Sequence, residues 1–324
     1  MTVLVTGGAG YIGSHTVRRL RELGREVVVL DSLEYGRADA VIDAELVEGD
    51  IRDAALVKDI CKRRGVRQVV HFAAYKAVGE SMLEPERYWR NNVAGSVDLV
   101  EAMLASGVEQ IVFSSSCSVN GTPTTVPVRE DAAIHPESVY AETKAMVERI
   151  LGWYGVTHGL RAVNLRYFNA AGASRDALIG EDWSRSQNLV PLVMKAVLGK
   201  LPTLQLYGDD YPTSDGTCIR DYIHVEDLAD AHVRALDYLA GGGATVSLNV
   251  GTGVGTSVLE VIRATERITG LKVPYAIAPR RPGDPTSTYA DPSTTETTLG
   301  WKAHHGLDDI IESAWRWHSA HVDD

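Results

Sequence analysis

The sequence is poor in the features that define several protein classes. Its 324 residues include three cysteines, Cys61, Cys117 and Cys218, which are scattered and form no CxxC pair. Neither a disulfide framework nor a zinc site is indicated, so we expect reduced thiols and no bound metal. The amino terminus, MTVLVTGG, lacks the regions of a signal peptide, and no apolar run is long enough to cross a bilayer. We therefore expect a cytoplasmic protein without membrane contacts.

The sequence also has fewer basic than acidic residues. Lys and Arg number 32 against 43 Asp and Glu, which gives a formal net charge of −11. No basic block is present that would follow a nucleic-acid backbone. A phosphate-bearing ligand must therefore be held by local groups rather than by the overall charge.

Short β-branched runs alternate with longer helical patterns along the first half of the chain. This alternation predicts an α/β fold with a parallel sheet covered by helices. From about Ala170 the pattern loosens into GEDWSRSQ, YGDDYPTSDG and APRRPGDPTST, which have the composition of binding loops. The candidate strands are VLVTG, EVVVLD, ELVEGD, QVVHFAA, EQIVFSSS and RAVNLRYFN.

A glycine-rich segment, TGGAGYIGSH, follows the first candidate strand. Gly8, Gly10 and Gly13 fit GxGxxG, while Gly7, Gly10 and Gly13 fit an overlapping GxxGxxG. The segment follows a strand and precedes a helical pattern, as a dinucleotide-binding turn requires. Glycines let the backbone approach a pyrophosphate, and the amino end of the helix favours negative charge.

Two acidic residues follow the next strands. Asp31 ends EVVVLD at the distance expected for a carboxylate that accepts the adenosine ribose hydroxyls. Because this carboxylate would repel a 2′-phosphate, Asp31 favours NAD. Asp50, after ELVEG, is placed either to accept the adenine amine or to serve as a structural residue at a strand end.

The segment SVYAETK places Tyr140 and Lys144 four residues apart in a predicted helix, and therefore on one helix face. By itself the pair is compatible with a solvated Lys beside a partly buried Tyr. The glycine-rich turn and the strand-end serines of QIVFSSS favour a catalytic interpretation instead.

These three features together resemble the extended short-chain dehydrogenase/reductase superfamily. The closer resemblance, in order and spacing over essentially the whole chain, is to the UDP-glucose 4-epimerase family. It implies a Rossmann-type parallel sheet with a smaller, mixed α/β substrate-binding domain, and an isomerase that uses NAD to interconvert UDP-glucose and UDP-galactose. The matching segments are TGGAGYIGSH, EGDIRD, HFAAYKAVGES, NNV, FSSS, YxxxK, LRYFN, GED, DGTCIRDYIHVEDLA, LNVGTG and PRRPGD.

The resemblance implies a role for each matching residue. Tyr140 is expected to be the general acid/base, with Lys144 as its electrostatic partner, and Ser116 is expected to hydrogen-bond the sugar C4 oxygen. The implied cofactor contacts are Gly7, Gly10, Tyr11, Ile12, Asp31, Asp50, Ile51, Phe72, Ala73, Lys76, Asn91, Ser114, Tyr140 and Lys144. The implied substrate contacts are Ser116, Tyr140, Asn169, Asn188, Leu189, Arg220, Tyr222, Arg281, Asp284 and Thr288.

Among these contacts, Lys76 can pair with a pyrophosphate. Arg220 and Arg281 can clamp the second pyrophosphate, that of the UDP-sugar. Either arginine alone would suggest a surface salt bridge. A small residue at position 288 leaves space beside the sugar C2 substituent, so acceptance of UDP-GlcNAc and UDP-GalNAc is a further expectation. The alternative is that neighbouring side chains close this space.

The chain departs from the family pattern near the sugar. Asn120 stands where a Tyr is usual before Gly121, Ser118 stands where a Thr is common, and GEDWSRSQNL is a residue shorter than in some relatives. Tyr75 precedes KAVGES. These departures leave the Tyr/Lys pair intact and affect the details of the sugar pocket.

Three rival functions share this scaffold. A nucleotide-sugar 4,6-dehydratase needs an acidic pair directly after Ser116, where this chain has Cys117 and Ser118. A UDP-glucuronate 4-epimerase or decarboxylase needs an extra basic or hydroxyl group for the C6 carboxylate. A non-catalytic NAD-binding sensor would not need the catalytic groups that this chain retains.

The domain organisation follows from the same resemblance. We expect residues 1–169 to bind NAD, with segments around 220–250 returning to that domain, and residues 170–324 to bind mainly the UDP-sugar. Family analogy also predicts a homodimer formed by the helix containing YWRNNVAGSVDLVEAML and the helix that begins at Tyr140.

Overall fold

The computed structural model describes residues 1–281 and 283–322. Its strands are β1 (Thr2–Thr6), β2 (Glu26–Asp31), β3 (Glu45–Glu48), β4 (Val66–His71), β5 (Gln110–Ser114), β6 (Arg161–Tyr167), β7 (Asn169–Ala171), β8 (Leu204–Tyr207), β9 (Ile219–Arg220), β10 (Tyr222–His224), β11 (Val246–Val250), β12 (Thr256–Ser257), β13 (Tyr275–Ala278) and β14 (Ser287–Thr288).

Helices connect most of these strands. They are α1 (Tyr11–Glu22), α2 (Ala54–Arg63), α3 (Val78–Leu83), α4 (Pro85–Tyr88), α5 (Gly95–Leu104), α6 (Val139–His158), α7 (Leu189–Val197), α8 (Val225–Ala240), α9 (Val258–Thr269), α10 (Ser293–Leu299) and α11 (Leu307–Ala320). A π-helical segment, Trp89–Ala94, joins α4 to α5 and contains the predicted cofactor contact Asn91. In the described part of the chain, no helix is long and apolar enough to cross a membrane.

Seven strands form the main sheet in the order β11-β6-β5-β4-β1-β2-β3. Every neighbouring pair in this sheet is parallel. The six strands predicted from the sequence all lie in it, and β11 is the seventh. The predicted α/β fold with a Rossmann-type parallel sheet is therefore confirmed. The strand order reverses between β1 and β4, which is where open α/β sheets bind ligands.

Alternating side chains of the central strands build a core on each face of this sheet. On β1, Val3 and Val5 face the core formed with α1 and α8, whereas Leu4 faces the core formed with α2, α5 and α6. Such burial on both faces explains the nearly continuous apolar runs of these strands. A third core joins α7, α9 and α11 to β8, which pairs in parallel with β13.

Candidate active site

The glycine-rich turn joins β1 to α1 at the carboxyl edge of the main sheet. Gly7 has a φ of 72°, and a Cβ atom there would lie 2.5 Å from the backbone nitrogen of Ala73. A Cβ atom at Gly13 would lie 2.3 Å from the Gly7 carbonyl oxygen, so side chains at these positions would push the segments apart. Within the described residues, no side chain caps α1 at Gly10. The backbone N–H groups of its first turn can therefore bind an anion.

Asp31 lies beside this turn at the end of β2. Its Oδ2 atom accepts the backbone N–H of Ala9 at 2.9 Å, and its Oδ1 atom accepts that of Leu33 at 2.9 Å. The carboxylate is thus fixed in place, and each oxygen keeps a further lone pair for a ribose hydroxyl. Asp50 forms an ion pair with Arg52, and this hydrogen bond lowers the pKa of Asp50.

The Tyr/Lys pair lies near the start of α6. The helix begins at Val139, one residue before the predicted start at Tyr140. Ser138 caps the helix by accepting the N–H of Ala141 at 3.2 Å. Lys144 Nζ donates to the carbonyl oxygen of Ser114 at 2.7 Å and lies 5.8 Å from the centroid of the Tyr140 ring. The helix therefore directs both side chains toward the carboxyl end of β5, as the spacing of the pair predicts.

Burial is the main cause of the pKa shifts of Tyr140 and Lys144. It raises the pKa of the Tyr140 phenol well above its usual value, and Tyr167 raises this pKa further, whereas a hydrogen bond with Ser116 lowers it. Burial lowers the pKa of Lys144 to about 7, while Glu148 acts in the opposite direction. A positive charge beside the phenol is therefore needed before Tyr140 can act as a base near neutral pH.

A cavity of about 630 Å³ lies over the reversal point of the sheet. Its size is typical of a site that binds a small molecule or cofactor. The structure brings every predicted cofactor contact to its walls, namely Gly7, Gly10, Tyr11, Ile12, Asp31, Asp50, Ile51, Phe72, Ala73, Lys76, Asn91, Ser114, Tyr140 and Lys144.

Most of the predicted substrate contacts lie outside the lining of this cavity, and several meet around β9. Arg220 lies opposite Thr288 in parallel register, and its Nη2 atom donates to Asp284 Oδ1 at 3.1 Å. The Arg220 side chain is 14% exposed and that of Asp284 is 30% exposed, so this ion pair is partly buried. On the neighbouring strand pair, Tyr222 lies opposite Asn169.

Asn188 links the substrate group to the cofactor group. It directly precedes α7, which begins at Leu189, and its Nδ2 atom donates to Glu181 Oε1 at 2.9 Å. The same carboxylate oxygen accepts Lys76 Nζ at 3.2 Å. Glu181 is buried and lines the cavity. The two groups of contacts therefore share one carboxylate.

Arg281 lies at the exposed end of the substrate group. Its guanidinium carbon is 3.9 Å from the centroid of the Tyr207 ring. Burial raises the pKa of the Cys218 thiol, while the charges of Arg220 and Arg281 both lower it. Both arginines therefore lie within electrostatic reach of one side chain, although they come from distant segments.

Cys117 lies within electrostatic reach of both Tyr140 and Arg220. Burial raises the pKa of its thiol to about 12, whereas the charge of Arg220 and a hydrogen bond with Ser116 lower it. All three cysteines are free thiols, as predicted. In the described structure, Ser118 Oγ donates to Ser116 Oγ at 2.9 Å, at the position where a dehydratase would need an acid.

The sequence predicts no role for several polar residues of the cavity wall. Glu34, Tyr35, Glu181 and Arg185 belong to the loops after β2 and before α7. The composition of GEDWSRSQ predicts a binding loop, but nothing in its local pattern identifies which of its side chains face the cavity. That information depends on contacts with segments more than a hundred residues away.

A comparison with protein-family models matches residues 3–251 to the family described as NAD dependent epimerase/dehydratase family. The chain is 46% identical to the UDP-glucose 4-epimerase of Halalkalibacterium halodurans, with 99% of this chain and 96% of the relative covered. It therefore spans nearly the whole length of this curated relative.

Solved structures give the same result. The UDP-glucose 4-epimerase of Stenotrophomonas maltophila, crystallised with bound NAD and formylated UDP-arabinopyranose, has a TM-score of 0.97 at 44% identity, with 99% of both chains covered. The enzyme of Brucella ovis in complex with NAD has a TM-score of 0.95 at 45% identity, with 97% of both chains covered. The resemblance to UDP-glucose 4-epimerases is thereby confirmed, and the chain belongs to the NAD-dependent epimerase/dehydratase family.

Proposed function

We propose that this protein is an isomerase that interconverts UDP-glucose and UDP-galactose at the sugar C4 with NAD as its cofactor. One observation carries the proposal: Tyr140 and Lys144 line the same cavity as the glycine-rich turn. The names and bound NAD of the relatives support it. No residue of the described chain favours the glucuronate enzymes or a non-catalytic sensor over this activity.

The residues of the cavity fit NAD. Gly7 and Gly13 leave no room for side chains, so a pyrophosphate can approach the amino end of α1. Asp31 is held where it can accept ribose hydroxyls, and its charge opposes a 2′-phosphate. Lys76 supplies a cation on the same wall, and Lys144 supplies one beside Tyr140.

The chemistry needs a proton acceptor at the C4 hydroxyl. When bound, NAD⁺ would supply the acceptor for the C4 hydride, and its reduced form would supply the donor for the reverse transfer. Tyr140 takes the C4 hydroxyl proton and later gives it back, so no net oxidation results. The Lys144 ammonium and the positive charge of the oxidised cofactor favour the phenolate that this requires. Ser116 holds the C4 oxygen and helps to pass on its proton.

We propose that the residues around β9 hold the UDP-sugar. Arg220 and Arg281 supply the cations for its pyrophosphate, and Asp284 accepts its ribose hydroxyls. Asn169, Asn188, Leu189 and Tyr222 complete this site. N-acetylated UDP-hexoses belong to the same proposal because Thr288 leaves space beside the sugar C2.

We also propose that different parts of the chain bind the cofactor and the substrate. Residues 1–169 with segments around 220–250 bind NAD, and residues 170–324 bind mainly the UDP-sugar. Support comes from β11 and α8, which pack into and against the main sheet although they follow the substrate loops. The cytoplasmic location stays a prediction of the sequence.

A homodimer is also proposed, paired through α6 and the helical segments from α4 to α5. On α6, Trp153 is 69% exposed and Val156 is 77% exposed. Apolar surface of this kind is typical of a subunit contact. Light scattering on the purified chain tests the dimer, and Trp153→Glu is expected to give monomers. A parent protein that is monomeric at micromolar concentration contradicts it.

A coupled assay tests the activity. The purified protein is mixed with UDP-galactose, and the UDP-glucose that forms is oxidised by UDP-glucose dehydrogenase with a rise in absorbance at the NADH wavelength. We expect a signal that requires both the protein and UDP-galactose. A parent protein that binds NAD but gives no signal contradicts the proposed epimerase activity.

A further inference from the structure

Two departures from the family pattern, Tyr75 and the shortened loop GEDWSRSQ, meet at the wall of the cofactor cavity. Tyr75 packs edge-to-face on Tyr35, with ring centroids 5.8 Å apart at an interplanar angle of 84°. Arg185, from the shortened loop, lies with its guanidinium carbon 5.0 Å from the centroid of the Tyr35 ring. Tyr35 itself follows the strand that ends at Asp31.

Arg185 also makes a direct hydrogen bond across the cavity wall. Its Nη1 atom donates to the backbone carbonyl oxygen of Glu34 at 3.0 Å. The loop after β2 and the loop before α7 both line the cavity, and this contact joins them although the two residues are 151 positions apart. One side chain thus joins two loops that line the cavity.

Tyr75 and Arg87 hold the loop after β2 in place for its contact with Arg185. The Tyr75 hydroxyl donates to Glu34 Oε2 at 2.7 Å, and Arg87 Nη2 donates to the Tyr35 hydroxyl at 2.9 Å. The Arg87 guanidinium carbon lies 4.1 Å from the centroid of the Tyr75 ring. These contacts hold the Tyr35 ring and Glu34 in position. Arg185 is the residue of this cluster that comes from the loop before α7.

We propose that Arg185 is a cofactor-retaining residue, which closes the cavity over the adenosine half of NAD by binding Glu34 and Tyr35. The inference rests on the NAD site of the proposed function and adds residues to it. A reaction that oxidises and then reduces the same sugar needs the cofactor to stay bound between the two steps. Since a dinucleotide passes between these loops only when their contact opens, breaking the contact increases the rate of NAD release.

The test uses the full chain loaded with isotopically labelled NAD. Excess unlabelled NAD is added, and the labelled cofactor that stays bound is measured over time after rapid gel filtration. We expect Arg185→Ala and Tyr35→Leu each to release NAD about tenfold faster, which corresponds to about 1.4 kcal/mol. One cation–π contact and one hydrogen bond to a carbonyl account for an effect of this size.

Arg280→Ala is the matched control. Arg280 is also exposed, and its guanidinium carbon lies 4.1 Å from the centroid of the Tyr211 ring. Its Nη2 atom donates to the backbone carbonyl oxygen of Asp210, but Arg280 does not line the cofactor cavity. Its NAD release is expected to equal that of the parent. Because Arg280→Ala breaks the same kinds of contact, the melting temperature of the NAD-free protein is expected to fall by a similar few degrees in Arg185→Ala and Arg280→Ala, whereas only Arg185→Ala releases NAD faster, which separates retention from folding.

The double variant distinguishes a tie between loops from a direct contact of the Arg185 charge with a phosphate. If the two residues act on each other, Arg185→Ala with Tyr35→Leu releases NAD no faster than either single variant. Multiplied effects of the two substitutions, or release at the parent rate in Arg185→Ala, overturn the inference. The coupled epimerase assay is scored separately, so a parent that retains NAD without turnover overturns only the proposed activity.

Discussion

The Asp31 carboxylate accepts the backbone N–H of Ala9 at 2.9 Å and thereby joins the end of β2 to the glycine-rich turn after β1. The residue that the sequence predicts to accept the ribose hydroxyls thus also contacts the turn that would hold the pyrophosphate. Substitutions at this position test both roles.

We expect Asp31→Ala to weaken NAD binding and to relax discrimination against NADP. The substitution removes the ribose acceptor and the charge that repels a 2′-phosphate, and it releases the turn. Asp31→Asn keeps one acceptor oxygen, which can bond the N–H of Ala9 but not that of Leu33 as well, so it should restore the glycine-rich turn without restoring the discrimination. Calorimetric titration of both cofactors provides the measurement.

Asp53→Asn is a suitable control for this series. The Asp53 carboxylate likewise accepts two backbone N–H groups, from Ala55 and Leu56, but it caps α2 and does not line the cavity. Its cofactor preference should match that of the parent. NAD binding that is unchanged in Asp31→Ala would show that Asp31 is only structural.

Tyr140→Phe should nearly abolish epimerisation while the fold and NAD binding remain. Only the phenolic oxygen is removed, and general acid/base catalysis by a positioned group contributes ~10²–10⁴-fold. The coupled assay and NAD titration measure the two effects. Tyr154→Phe removes a phenolic oxygen from the exposed part of the same helix and should leave turnover intact. Turnover of Tyr140→Phe within a few-fold of the parent would disprove the assignment.

Features that depend on neighbouring residues in the chain could be predicted from the sequence. The strand β2 has the predicted bounds, because EVVVLD is a buried β-branched run that ends in a polar residue. Tyr140 and Lys144 reach one cavity because four residues make about one helical turn. Both features follow from periodicity and need no knowledge of the tertiary fold.

Features that depend on contacts between distant segments could not be predicted. The carboxylate of Glu181 meets Lys76 across 105 positions, and Arg185 meets Glu34 across 151 positions. Exposed polar loops carry no periodicity that indicates which side chain turns inward. The resemblance to a family therefore identified Lys76 but gave no role to its partner.

Buried histidines should make the protein sensitive to acid. Burial lowers the pKa of His232 to about 4, and it lowers the pKa of His71 to about 3. An unfolded histidine binds its proton near pH 6.5, so the unfolded state binds more protons than the native state between that pH and the native pKa. The free energy of unfolding therefore decreases as the pH falls from about 6.5 toward 4.

His232→Phe isolates one of these groups. The ring of His232 packs against Phe72 at a centroid distance of 4.6 Å, so a phenyl ring suits the site. Between pH 7 and pH 5 the variant should lose about 2 kcal/mol less stability than the parent. Urea unfolding at both pH values measures this difference. The exposed His158→Gln should behave like the parent, and an equal loss in His232→Phe would contradict the prediction.

Thr288 is expected to set the range of sugars that the enzyme accepts. Its side chain is buried on the face of β14 that Ala290 continues, and its hydroxyl has no hydrogen-bond partner among the described residues. A Tyr there would fill the volume that an N-acetyl group needs, and overpacking commonly costs ~1–3 kcal/mol. The parent should therefore convert UDP-GalNAc as well as UDP-galactose, and Thr288→Tyr should lose the N-acetylated substrate selectively, by ~10–100-fold in kcat/KM.

Ser287→Tyr is the control, since successive side chains of a strand point to opposite faces. The same added volume at Ser287 should leave the ratio of the two kcat/KM values unchanged. The alternative, in which neighbouring side chains close the space beside Thr288, predicts a parent that converts UDP-galactose and ignores UDP-GalNAc. That result, or a Thr288→Tyr variant that processes both sugars like the parent, would show that Thr288 does not control access to the pocket.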